Sequence, residues 1–256
     1  MYEPHGWVKT PVNRNILIWR YLRFDRFVDL LAHRHLHFAR FDQFPDRFEG
    51  VLSPATVPLA KDRFRNVPIR PGDTLTDFQM LVRDDNRLNK LCSYANCWFM
   101  NEHESDGMWR LYAPEGIAVR STFEQLCASL VYEPKPVHVG AVQYLDYRTQ
   151  SATNYGNTLA SAFDKRKEFE HERELRAVVV MIPAGWTSGS PPYEELRDTH
   201  PKGVSITTDL HALIEGVYLA PGRPESFGDQ VREAMARYGL DKPVEPSRLD
   251  EWPALI

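Results

Sequence analysis

In Phe163-Asp-Lys-Arg-Lys-Glu-Phe-Glu-His-Glu-Arg-Glu-Leu-Arg-Ala-Val-Val-Val180 a charged run passes without interruption into a β-branched one. The charged half predicts a helix over 157–170, and the apolar half predicts a strand over 175–182. If the strand already begins by Glu172, then Glu172, Glu174 and Arg176 share one of its faces, because side chains alternate with period two. Three ionisable groups on one face of an otherwise apolar strand point to a water-filled cleft. The competing reading is an edge strand whose charges sit in solvent and discourage edge-to-edge pairing.

Working outward, residues 16–22 form an apolar, aromatic run that predicts a strand interrupted by Arg20, with Tyr21 beside it. A half-buried arginine there needs an acceptor, and the glutamate strand could supply it. Asp25 is placed to cap a helix over 26–33, in which Phe27, Leu30 and Leu31 have helical spacing. Further strands are expected over 35–39, 94–100, 116–121, 138–145, 205–208 and 216–220. Helices are expected over 76–91, 107–112, 122–130, 209–215 and 226–238. Residues 183–202 read as loop, and residues 51–75, which carry four prolines, as an irregular Pro-rich loop or lid. With no internal repeat and no low-complexity linker, the fold class is α+β. The expected architecture is one domain over 1–256 with a mixed or antiparallel sheet core and flanking helices, or two small sheets around a cleft.

Composition narrows the function classes. The 256 residues are 43% hydrophobic and 26% charged, an ordinary globular balance with ample material for a core. A formal net charge of −4 argues against a nucleic-acid binder that relies on global charge, although 33–65 is locally basic. Three cysteines in no paired motif suit a reducing compartment. No basic-then-apolar leader opens the chain, and no apolar run approaches the roughly 20 residues that span a bilayer. A cytoplasmic protein with no membrane partner is the expectation.

Two other constellations carry polar chemistry. Cys97 to Tyr112 mixes Trp98, Trp109 and Tyr112 with Glu102, His103, Glu104, Ser105 and Asp106 across a strand-to-helix loop, where binding groups often stand. It lacks the i, i+4 ligand spacing of a His-Glu-x-x-His metal helix, so no metal is expected; the competing reading is a capped polar loop with Trp109 and Tyr112 in the core. His35 and His37 would face one way on a strand, yet no nearby Asp or Cys completes a metal set, and an exposed edge is the favoured reading. No phosphate-binding glycine loop and no Gly-x-Ser-x-Gly elbow occurs.

Several blocks resemble a bacterial family of unknown function catalogued as number twenty-nine seventy-one. They are Leu17-Ile-Trp-Arg-Tyr, the 35–44 block with Phe48-Glu-Gly, the 97–112 block, the 116–123 block, Lys167-Glu-Phe-Glu-His-Glu-Arg-Glu-Leu-Arg, and the 209–221 block. At the level of fold, an arginine on the first strand and glutamates on a late strand are similar to ADP-ribosyltransferases. That resemblance implies NAD as substrate, bound in a cleft between two small sheets. Arg20 would hold the nicotinamide ribose or the diphosphate, and Trp98 or Ser105 would fall near the middle motif. Glu172 and Glu174 resemble the paired glutamates of the arginine-modifying branch. The chain departs from that branch in having no Ser-Thr-Ser middle motif.

Three functions follow as expectations. The first is an NAD-consuming ADP-ribosyl transferase with Glu174 or Glu172 catalytic, assisted by Arg20. Tyr21, Trp98, Ser105, Trp109, Tyr112 and Arg176 would bind or position the dinucleotide, and the acceptor would be a protein or a nucleic acid. The second is a non-enzymatic sensor or partner-binding module in a stress or anti-phage response. The third is a metal-dependent nuclease or hydrolase built on Glu102, His103, Asp106 and the Glu172/Glu174 face.

Overall fold

The computed structural model describes residues 1–59, 82, 86–130, 135–152, 158–182 and 193–251. In chain order its strands are β1 (Leu17–Leu22), β2 (His35–Arg40), β3 (Ser93–Met100), β4 (Ile117–Thr122), β5 (His138–Ala141) and β6 (Gln143–Leu145). They continue as β7 (Asp164–Arg166), β8 (Glu174–Val180), β9 (Gly203–Thr207), β10 (Gly216–Leu219) and β11 (Val244–Glu245). The fold is α+β. A nine-stranded mixed sheet is flanked by helices, and β6 pairs β7 in a second, two-stranded sheet.

The large sheet forks at β3. One edge of β3 pairs β8 from Ser93↔Val180 to Phe99↔Glu174. The other edge has two partners: β2 at its beginning, through Ala39↔Ala95 and Arg40↔Tyr94, and β1 at its end, through Ile18↔Met100 and Trp19↔Phe99. Between them, residues 96–98 pair with neither strand. β1 continues onto β4 and β10, while β2 continues onto β9, so the two branches diverge from one central strand.

Period-two patterning fills both faces. On one, Ile18, Phe38, Val119, Leu175, Ala177 and Val217 form the main core. The helix Phe24–His33 seals it with Phe27, Leu30 and Leu31, and the helix Glu225–Arg237 adds Phe227, Val231 and Met235. The opposite face carries two smaller clusters. Trp19, Tyr21, Phe99, Met108 and Trp109 belong to one, and Phe41, Ala95, Phe163 and Val178 to the other. Between those clusters the same face presents Cys97, Glu174 and Arg176, a polar strip that apolar packing leaves open.

Most expected elements form within a residue or two of their expected limits, and the exceptions have physical causes. The helix expected over 157–170 is instead a short helix Thr158–Ser161, then β7, then the 3-10 helix Lys167–Glu172. Asp164 and Lys165 are both buried, which a solvated helix face would not allow. Glu172 therefore lies outside β8, and Arg173, with φ 39°, separates it from Glu174. The strand expected over 138–145 breaks at Val142, because its N–H bonds Glu174 O (3.0 Å) while that of Gln143 bonds Phe163 O (2.7 Å), just before β7 of the other sheet. Asp25 does not cap its helix; Arg23 stands at the N-cap without a side-chain capping bond, and its guanidinium donates to Asp25 in the first turn. Within the stretch read as loop, Tyr193–Thr199 is helical. Residues 60–75 of the proposed lid, 76–81 and 83–85 of the next expected helix, and 183–192 lie outside the described residues, whereas 86–92 are helical. Among the described residues, no helix is long and apolar enough to cross a membrane.

Candidate functional site

The fork needs substitutes for the ladder hydrogen bonds it gives up, since buried backbone groups must be paired. Two side chains supply them. Arg20 Nη1 donates to Cys97 O at 2.9 Å, and Asn96 Nδ2 donates to His37 O at 2.8 Å. Asn96 is held in turn by Trp98 Nε1, which donates to its Oδ1 at 2.7 Å. Replacing Asn96 with alanine strands the indole N–H and the His37 carbonyl, so a loss of about 1–3 kcal/mol is expected. Calorimetry of Asn96→Ala checks this, and an unchanged melting temperature would mean the fork closes without it.

A cavity of about 320 Å³ opens at the fork. That is at the lower end of the roughly 300–1,000 Å³ typical of small-molecule sites. Trp19, Tyr21 and Phe99 form an aromatic wall, Arg20 and His37 stand at the fork, and Lys165, Glu172 and Glu174 line the far side. The Phe44-Pro-Asp46 segment closes another side. It is pinned there by Arg166, whose Nε and Nη2 donate to the two Asp46 oxygens at 3.1 and 2.8 Å.

At the carboxylate end, β-sheet register sets Glu174 opposite Phe99 and Arg176 opposite Cys97, so both side chains share the cavity face. Arg176 is fully buried and donates from Nε to Glu174 Oε2 (2.7 Å), from Nη1 to Ala162 O (2.9 Å) and from Nη2 to Glu49 Oε1 (3.0 Å). Glu49 Oε2 also lies 2.8 Å from Nη2, though without the alignment of a hydrogen bond. Glu49 is aimed inward by the turn that follows it, where Gly50 adopts φ +67° over the Phe41 ring. Lys165 Nζ then joins all three carboxylates. It lies 3.1 Å from Glu49 Oε1 and 3.3 Å from Glu174 Oε1, and it donates to Glu172 Oε2. Tyr112, on the helix Asp106–Tyr112, donates to Glu172 Oε1 at 3.2 Å while remaining 47% exposed.

Three carboxylates against two cations divide their protons unequally. Burial opposes the charge of Glu174, but Arg176 and Lys165 outweigh it and hold this carboxyl below its ordinary range. Burial pushes the Glu172 carboxyl up; the hydrogen bond from Lys165 opposes this and the charge of Glu174 reinforces it. Burial also opposes the Lys165 charge, yet Glu174 and Glu49 overcome it and raise the ammonium further. The cluster therefore keeps Glu174 as the ionised acceptor and Glu172 as the more easily protonated one.

Arg20 stands apart from that cluster. It reaches Cys97 O and the Trp98 ring (5.9 Å to the centroid), with no carboxylate partner among the described residues. The glutamate strand does not supply its acceptor. Burial lowers its guanidinium to about 10, which leaves it protonated at neutral pH.

The structure sorts the remaining residues singled out in the sequence. Tyr21 lines the cavity, with its ring edge-on to Trp109 at 4.8 Å. Trp98 and Tyr112 line it as well. Ser105 and Trp109 stand behind the wall. Ser105 N–H donates to Tyr21 Oη (2.9 Å), its Oγ caps the helix by accepting from Met108 N, and Trp109 Nε1 donates to Glu104 Oε2 (2.6 Å). Glu104 also accepts from Ser247 Oγ and Arg248 N, so this loop fastens the C-terminal segment. Among the described residues, no three His, Cys, Asp or Glu side chains converge to hold a metal ion, and Glu102, His103 and Asp106 do not join Glu172 and Glu174 in such a set. Sequence reasoning missed Glu49, Lys165, Asn96 and the cavity position of His37. Asn96 could have been noticed as a lone amide in an otherwise apolar strand; Lys165 was hidden in a charged run with helical composition.

No family model matches the chain, and no curated protein matches it. Three solved structures are similar to it, all of Thermus sp. 2.9 DarT. The complex with ADP-ribosylated ssDNA has a TM-score of 0.40 and 13% identity, covering 94% of this chain and 97% of that one. The complex with carba-NAD+ has a TM-score of 0.36 and 12% identity over 92% and 97% of the two chains. The complex with NAD+ has a TM-score of 0.37 and 14% identity over 94% and 98%. Likeness of this size assigns neither an activity nor a residue's role.

Proposed function

We propose that this protein is an NAD-consuming ADP-ribosyl transferase, with the cavity at the fork as its active site. The observation that carries this reading is the polarity of the cavity. An arginine with no carboxylate partner among the described residues stands at one end, and an ionised glutamate held by two cations stands at the other. NAD+ has the complementary polarity, with an anionic diphosphate on one side of a ribose and a cationic nicotinamide ring on the other. Arg20 takes the phosphate side, and Trp19, Tyr21 and Phe99 offer faces for a planar ring.

Transfer breaks the bond between nicotinamide nitrogen and ribose C1′. The nitrogen leaves with the bonding pair, the ribose acquires oxocarbenium character, and the acceptor nucleophile forms the new bond to C1′ while losing its proton to a base. The protein's part is to place fixed negative charge where positive charge develops, in a site that need not reorganise. Glu174 suits that work, since Arg176 and Lys165 keep it ionised and immobile and its backbone N–H is bonded to Tyr144 Oη at 2.8 Å. Glu172, with a raised pKa and a place beside exposed Tyr112, is the better-placed proton acceptor for the incoming nucleophile.

A thermal-shift titration tests the reading. At about a hundred times Kd, NAD should stabilise the folded chain by about 2.7 kcal/mol. At about 2–4 °C per kcal/mol for a domain of this size, that is a rise of about 5–10 °C. In Arg20→Ala, measured against its own baseline, the rise should vanish. No saturable shift with NAD, or an equal shift in Arg20→Ala, removes the proposed orientation.

A further inference from the structure

His37 is a titratable cavity residue that the transfer chemistry does not use. It enters from β2, on the opposite side of the fork from Arg20 of β1, and both line the same cavity. Their anchor points on β3 are consecutive: the His37 carbonyl is held by Asn96, and the Arg20 guanidinium is held by the Cys97 carbonyl. The imidazole has no side-chain hydrogen bond among the described residues. Room for it comes from β9, where Gly203 stands beside the ring; a Cβ at that position would collide with Cε1 and lie 2.7 Å from Nε2. A two-branched sheet thus presents one donor from each branch to the same space, with neither donor claimed by a carboxylate among the described residues.

We propose that Arg20 and His37 form a two-armed subsite for a phosphate or diphosphate oxyanion, one arm from each branch of the fork. It rests on the nucleotide reading above, of which it fixes the phosphate end, and it has a consequence that reading lacks. Partial desolvation, followed by the charges of Arg20, Arg26 and His35, holds the free imidazole below its ordinary value, with Asp29 alone opposing. Arg26 and Asp29 belong to the helix Phe24–His33, His35 shares β2, and β9 presents uncharged Gly203 and Ser205. An oxyanion between Arg20 and His37 reverses the local field and favours the imidazolium, so binding takes up a proton.

The sign follows from linkage. Affinity is flat below the pKa of free His37 and falls as pH rises from the free to the liganded value. The fall is about tenfold for each unit by which the ligand raises that pKa.

The test uses the whole chain and inorganic pyrophosphate as the probe, so it requires no turnover. The ring Cε1–H signal of His37, assigned by its disappearance in His37→Gln, is titrated by NMR with and without saturating pyrophosphate. The expected result is a pKa raised by a unit or more. Pyrophosphate affinity should also drop about tenfold across that interval in wild type and not in His37→Gln. Gly203→Ala, which keeps both donors but displaces the ring, should weaken binding in the same direction. An unmoved His37 pKa at saturation, an equal affinity and pH profile in His37→Gln, or no pyrophosphate binding at millimolar concentration overturns the subsite. NAD consumption measured alongside separates the two claims. Turnover with a silent His37 removes the subsite alone, and proton-linked pyrophosphate binding without turnover removes the transferase alone.

Discussion

Glu174→Gln is expected to lower NAD turnover by about a hundred- to a thousandfold, the scale on which a preorganised electrostatic group contributes to a rate. Glutamine keeps the shape and one acceptor oxygen, so a bond to Arg176 survives, but the negative charge that faces the developing oxocarbenium is gone. Glu172→Gln should cost much less through this term, because Glu172 lies beside Tyr112 at the edge of the cluster and outside the grip of Arg176. Its loss should appear instead in the step that takes the proton of the nucleophile, as a changed pH profile with a given acceptor. Steady-state nicotinamide release by both variants, with circular dichroism to verify folding, makes the comparison. Full turnover in folded Glu174→Gln would falsify the assignment.

Arg176→Met should be the most destabilising of the simple substitutions at this site. The guanidinium is completely buried and is the main cation holding Glu49 and Glu174. Its removal leaves three buried carboxylates sharing Lys165. Breaking a buried pair by deleting one partner typically costs about 3–5 kcal/mol. At about 2–4 °C per kcal/mol, the melting temperature should fall by about 6–20 °C. The pH dependence should also change sign. In wild type the folded pKa of Glu174 is depressed, so its contribution is present above the unfolded value and is lost as pH falls through the folded one. In Arg176→Met only Lys165 opposes the mutual repulsion of the carboxylates, so a folded pKa rises above the unfolded value and stability should fall as pH rises. Urea unfolding at pH 3, pH 5 and pH 8 reads both effects, the wild-type loss between the first two and the variant's between the last two. A loss under about 1 kcal/mol, with the wild-type slope retained, would mean that water already screens the cluster.

Much of this protein was legible before folding was considered. Apolar spacing located the helix Phe24–His33, alternation located β2, and apolar or β-branched runs located β1 and β8, because these signals depend only on local backbone period and side-chain shape. Asp209 and Thr122 act as caps of the helices expected to follow them, because capping is decided within four residues. The convergence of Glu172, Glu174 and Arg176 was anticipated as well, but by a wrong route. They meet through a left-handed turn at Arg173 and a common partner in Lys165, with Glu172 outside the strand.

Long-range placement decided the rest. A charged stretch such as Asp164-Lys-Arg166 has the composition of a solvated helix, and only the arrival of Glu49 and Glu174 around Lys165 makes its burial as a strand tolerable. Nothing near Arg20 or His37 announces that they flank a fork, because the fork exists only where β1 and β2 compete for one edge of β3. Local periodicity determined which residues form elements and which way they face. The site was decided by tertiary structure, since buried charge is stable only where partners remote in sequence meet it at hydrogen-bonding distance.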